Sequence, residues 1–136
     1  MSAWSAASFD NDDAVDWLAD LSQSTDLQPV QTALEAVTRL DTASYLEAPE
    51  ASAALAAAEV VAALLGRPAA NLPEEVHTWV AAHRQLGVTD DLRTTARRAV
   101  ARVQARSELR ELWDELPDAG ATWRQRLSNL MTRLAG

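Results

Sequence analysis

Cysteine and lysine are both missing from this 136-residue chain, and each absence closes off chemistry. Without cysteine there is no disulfide, no thiolate metal site and no thiol nucleophile, so the fold must rest on packing. Without lysine the phosphate-cradling loop Gly-Xaa-Xaa-Xaa-Xaa-Gly-Lys is excluded. No Gly-Xaa-Ser-Xaa-Gly turn and no Ser/His/Asp arrangement is present. β-branched alternation is missing throughout, which removes the strand signal, and no internal repeat is found. The longest apolar run, Ala53–Leu65, is broken by Glu59 and is too short to span a bilayer. Met1 to Asp13 has neither a basic residue nor an apolar stretch, so it does not read as a signal peptide. The expectation is a cytoplasmic protein that does not enter the membrane.

What is present is alanine, arginine and acid. All 12 basic residues are arginine, set against 20 carboxylates, for a net charge of −8. The alanine and arginine bias reads as GC-rich bacterial coding sequence. A strongly acidic chain is a poor ligand for phosphate backbones, which argues against nucleic acid as a partner. The charge is uneven. Residues 1–60 hold eleven acidic groups against Arg39 alone, giving −10, and residues 61–136 hold nine against eleven arginines, giving +2. Pairing between the two halves is the simplest use of this asymmetry; an acidic face for a basic partner is the other.

The length suits a single helical domain over residues 1–136, with an irregular arm over 1–9 carrying Trp4 and Phe9. The spacing predicts an all-α fold, an irregular bundle of six or seven short helices. Asp10, Asn11, Asp12 and Asp13 crowd the start of the first helix, and Ala14, Trp17, Leu18 and Leu21 form its apolar stripe. Thr25 or Asp26 caps the second, striped by Val30, Ala33, Leu34, Val37 and Leu40. Pro49 opens the third, and Gly66 with Pro68 closes it. That helix is apolar nearly all round and belongs at the centre. The fourth begins at Asn71 or Leu72 and ends at Gly87. Thr89 or Asp90 caps the fifth. A slip in the apolar phase at Ser107 predicts a kink or a short sixth helix. Pro117 stops it, and Asp118 caps a last helix striped by Trp123, Leu127, Leu130, Met131 and Leu134.

Ala3-Trp4, Phe9-Asp10-Asn11-Asp12-Asp13-Ala14 and Asp16-Trp17-Leu18 resemble the N-terminal block of an uncharacterised bacterial family, domain of unknown function 4259. Its members open Met-Gly-Xaa-Trp-Gly and continue to Phe-Xaa-Asn-Asp-Xaa-Ala-Xaa-Asp. Tyr45 to Glu50, Ala56 to Ala63 and Leu109 to Trp113 look like later blocks. Ser2, Ser5 and Ala7 stand where members usually carry glycine, so this arm departs from the pattern. The resemblance implies no reaction, and the residues themselves give no reason to expect a cofactor.

Several groups could carry chemistry. Asp10, Asp12, Asp13 and Asp16 look superficially like a calcium loop, but Val15 and Leu21 occupy the positions where an EF-hand needs glycine and glutamate. Capping of the first helix explains them better. Glu47, Glu50, Glu59 and His83 are the candidates for a small metal- or ligand-binding enzyme, although no Glu-Xaa-Xaa-His pair occurs and His77 and His83 point apart on a straight helix. Glu59, a carboxylate in an apolar helix, must be paired; its expected partner is an arginine or the Trp4 arm. The arginines from Arg93 to Arg110 read as a solvated or internally paired face rather than an RNA stripe. The leading expectation is a non-enzymatic protein-interaction module, immunity- or antitoxin-like. Its binding residues would be Trp4, Asp12, Asp13, Asp16, Asp20, Glu47, Glu50 and Glu59, and its partner a basic protein. A homo-oligomer held together by the apolar surplus of Ala53–Leu65 is a third reading.

Overall fold

The structure, a computed structural model, describes residues 12–135; the Trp4 arm and the Asp10–Asn11 start of the first block lie outside the described residues. Among those residues there are seven α-helices and no strand: α1 (Asp12–Ser22), α2 (Gln28–Thr38), α3 (Ala48–Leu64), α4 (Glu74–Ala82), α5 (Asp90–Ala105), α6 (Glu108–Asp114) and α7 (Pro117–Ala135), with a 3-10 turn at Arg84–Leu86. The expected all-α irregular bundle is what forms.

The alanine-rich segment decides the architecture. Helix α3 is buried on every side from Ala54 to Ala63 and touches each of the other helices. Its seven alanines buried between Ala51 and Ala63 let neighbouring backbones approach closely. The apolar surplus proposed as an oligomer surface is therefore covered by the chain itself. Around α3 pack Leu21 of α1, Leu34 and Val37 of α2, Val100 and Val103 of α5, and Leu127, Leu130 and Leu134 of α7, all almost fully buried. They form one continuous cluster.

The helix ends mostly follow local chemistry. The Thr89 hydroxyl accepts the Leu92 N–H and the Ser107 hydroxyl accepts the Arg110 N–H, as N-caps do. The cap at Ser107 creates the separate short helix that the phase slip predicts. At the end of α3, Gly66 takes φ +84°, the Gly66 N–H donates to the Ala63 carbonyl and the Arg67 N–H to the Ala62 carbonyl. That is a Schellman closure, and the positive φ is why glycine stands there.

Four boundaries differ from the sequence expectation. Leu27 occupies the N-cap of α2, and the Asp26 carboxylate serves from one residue earlier by accepting the Gln28 N–H at 2.9 Å. Helix α4 starts only at Glu74, with Pro73 at its N-cap, and stops at Ala82 rather than Gly87. Pro117 opens α7 instead of merely ending α6, so Asp118 lies inside the first turn and is not the cap. Leu116, at the junction just before Pro117, is 39% exposed.

The connection between α2 and α3 is tied down by polar contacts. Arg102 donates to the carbonyls of Asp41 and Ser44, and the Glu108 N–H donates to the Leu46 carbonyl. The Glu108 carboxylate accepts the Ala48 N–H at 2.8 Å and so caps α3 from a distant part of the chain. Leu46 is buried beneath this junction.

Candidate functional site

Three helices frame a groove of about 660 Å³. Helix α1 supplies one wall through Asp13, Asp16 and Asp20, and α2 supplies the other through Gln28, Thr32 and Ala36. The first turn of α3 closes one part of the rim with Glu50. The floor is Trp17, Pro29, Ala33 and Ala53. Amphipathic periodicity builds this arrangement. On α1, Asp13, Asp16 and Asp20 fall within an arc of about 60°, and Trp17 lies some 40° toward the core side. Trp17 is 8% exposed, and its indole N–H donates to the Pro29 carbonyl at 3.3 Å, which fixes the ring as floor.

The rim is electrostatically one-sided. No arginine lines the groove, and among the described residues none of Asp13, Asp16, Asp20 and Glu50 enters an ion pair. The Asp13 carboxyl is held above the usual 3.8 by partial burial and by the negative charges of Asp16, Asp12 and Glu50. Such a carboxyl binds its proton more tightly in the folded than in the unfolded chain. Its favourable contribution is fully present below pH 3.8 and is lost as pH rises through the raised value. Asp13→Asn is therefore expected to raise the melting temperature slightly at pH 7 and to have a smaller effect near pH 3. Thermal melts at the two pH values check this; a lower melting temperature at pH 7 would show that helix capping by the Asp13 charge outweighs its repulsion.

The candidate residues separate into four groups. Asp13, Asp16, Asp20 and Glu50 come together in the groove. Asp12 and Glu47 are exposed but do not line it. Trp4 lies outside the described residues. Glu59, about two and a half turns along α3 from Glu50, is 5% exposed and meets Arg133, whose guanidinium reaches its two oxygens at 2.8 and 3.4 Å. An arginine partner for Glu59 is thus found, and it comes from α7.

The set proposed for an enzyme is not assembled. Glu50 and Glu59 are about 13 Å apart along the α3 axis. His83 sits at the end of α4 in a separate groove with Glu74 and Glu75, its ring stacked on Trp79 with centroids 4.2 Å apart and its Nδ1 2.7 Å from the Trp79 carbonyl oxygen. Among the described residues no group of three or more His, Asp or Glu side chains could hold a metal ion. None of their buried side-chain nitrogens or oxygens lacks a hydrogen-bond partner.

Pairing between the two halves of the chain is slight. Of the ion pairs among the described residues, Arg133–Glu59 joins the halves, whereas Arg39–Glu35, Arg93–Asp90, Arg110–Asp114 and Arg124–Asp114 stay within one. Of the arginines of α5 and α6, Arg93 and Arg110 pair with nearby acids and Arg102 and Arg110 donate to backbone carbonyls. Arg110 donates to the carbonyls of Gln104 and Ala105 at the end of α5. A second groove, lined by Tyr45, Arg102, Arg106 and Arg110, has its Arg102 and Arg110 spent in this way, and the Tyr45 hydroxyl donates to Glu111.

Sequence reasoning missed two parts. The α2 wall was visible only as polar and small residues at fourfold spacing opposite the apolar stripe. Arg133 was one of several arginines with nothing to single it out.

Fold and groove together define a class: an all-α bundle with an acidic, apolar-floored cleft and, among its described residues, no assembled catalytic set. The family described as domain of unknown function (DUF4259) matches residues 2–126, and the chain belongs to that family. No curated protein and no solved structure matches the chain. No described helix is long and apolar enough to cross a membrane.

Proposed function

We propose that this protein is a non-enzymatic interaction module whose α1–α2–α3 groove receives a basic segment of another protein. The observation that carries the reading is a rim of four carboxylates with no cationic partner among the described residues, set over an apolar floor. Carboxylates on such a rim steer a cationic partner into place, and the apolar floor supplies binding energy once it docks. The net charge of −8 extends the attraction beyond the groove. An immunity- or antitoxin-like role in the cytoplasm suits these properties, since such a protein neutralises its partner by occupying it.

The test is crosslinking mass spectrometry in extract of its own host with a photoreactive residue placed at Thr32, because the chain has no lysine for amine-reactive reagents, run beside the same protein carrying Asp13→Asn, Asp16→Asn and Asp20→Asn. The expected result is a basic protein crosslinked to α2 in the groove, with the crosslink failing to form when about 0.5 M salt is present during the reaction, as screening predicts, and failing to form with the variant. Identical crosslinks from both proteins, or none at the groove, would remove the reading.

A further inference from the structure

Resting on that reading, we infer that the occupant of the groove is an amphipathic α-helix, carrying arginine or lysine at i, i+3 and i+7 beside a narrow apolar stripe.

The walls set the length. Asp13, Asp16 and Asp20 rise along α1 by about 4.5 and then 6 Å, and Gln28, Thr32 and Ala36 rise along α2 by about 6 Å at each step. Both walls thus extend about 10–12 Å, or two turns of a docked helix. The unequal spacing of the carboxylates is that of i, i+3 and i+7 on a helix, so cations at the same spacing on an adjacent helix running parallel to α1 meet all three. An extended segment presents same-side residues at uniform steps of about 6.7 Å and falls out of register.

Backbone hydrogen bonding points the same way. Both walls are helices whose peptide groups are bonded within themselves, and no strand among the described residues offers an edge. An extended segment lying on Trp17, Ala33 and Ala53 would lose water from its N–H and C=O groups and find no replacement. A helix brings its own hydrogen bonds and buries side chains alone. A second copy of this chain is a poor occupant, because two bodies of charge −8 repel at long range.

The experiment uses the full chain and two fluorescein-labelled peptides of equal composition. One is an alanine-based helix, hydrocarbon-stapled on its outer face, with arginine at positions 3, 6 and 10 and leucine at positions 7 and 14. The other carries the same residues in an order interrupted by proline, so that it cannot form a helix. Anisotropy titrations give the dissociation constants. We expect the helical peptide to bind about tenfold tighter or better, and Asp16→Asn with Asp20→Asn to weaken it about tenfold, as the loss of two rim ion pairs implies. Equal binding of both peptides, still lost on neutralising the carboxylates, overturns the helical inference and leaves the basic-partner reading standing. No binding of either peptide overturns both. Light scattering alongside assigns the groove to a second copy, and so overturns the inference, if it finds a dimer that Asp16→Asn abolishes.

Discussion

Arg133→Ala is expected to lower stability by about 3 kcal/mol, a fall of roughly 10 °C in melting temperature for a chain of this size. The reason lies at Glu59. Its side chain is 7% exposed and that of Arg133 is 14% exposed, and the pair closes at 2.8 Å. Removing the guanidinium takes a close counter-charge away from a carboxylate inside an apolar helix. Removing both charges is a different matter. Glu59→Leu combined with Arg133→Leu should cost far less than Arg133→Ala alone, because a buried pair barely repays the desolvation of its members. The Arg133 side chain also accepts nothing and donates widely, to Asn129 and to the Arg67 carbonyl, while Arg67 donates to the Arg133 carbonyl. Urea unfolding of the single and double variants measures the difference. Equal losses from Arg133→Ala and the double variant would mean that these end-tying bonds, not the buried charge, hold the last helix.

Gly120→Ala is expected to destabilise by about 2–3 kcal/mol, the usual scale for overpacking. In most helices the same change helps by up to about 1 kcal/mol. The sign reverses here because an added Cβ would collide with the backbone carbonyl oxygen of Trp113. That oxygen ends α6 and cannot move as a flexible side chain would. Gly120 is buried at the corner between α6 and α7, and its N–H donates to the Leu116 carbonyl at 2.6 Å. Opening the corner would also disturb the Trp113 and Trp123 rings, stacked with centroids 6.3 Å apart and planes 8° from parallel. The expected signature is a lower urea midpoint together with altered near-ultraviolet circular dichroism. A variant more stable than the parent would mean that the corner is slack.

Both effects were hidden in the sequence for the same reason. Periodicity reports which face of a helix is apolar, and on that basis Trp17, Leu34, Val37, Trp123 and Leu130 were placed in the core correctly. It does not report which helix lies against that face. Glu59 stood out as needing a partner, but choosing Arg133 among twelve arginines required the crossing of α3 and α7. Gly120 gave no signal because its constraint is a backbone approach from another helix. The groove was half legible. Asp13, Asp16 and Asp20 could be grouped on one face of α1, and Glu50 could be placed in the first turn of α3. The α2 wall depended on how α1 and α2 cross. The boundary errors are of another kind: the Asp26 carboxylate serves α2 from one residue before the cap, α4 begins only at Glu74, and Pro117 opens a helix where it was expected to end one.

The position of α3 along the chain governs when the molecule can first become stable. As the protein leaves the ribosome, α3 is complete once Leu64 has emerged, yet only α1 and α2 of its neighbours then exist. The faces that α5 and α7 will cover stay open until Val103, Leu127 and Leu134 arrive. A nascent chain in that state exposes a long alanine-rich apolar surface, which invites chaperone capture or aggregation. Folding around α3 therefore cannot finish until the last turn of α7 has been made, because Leu134 belongs to the same buried cluster.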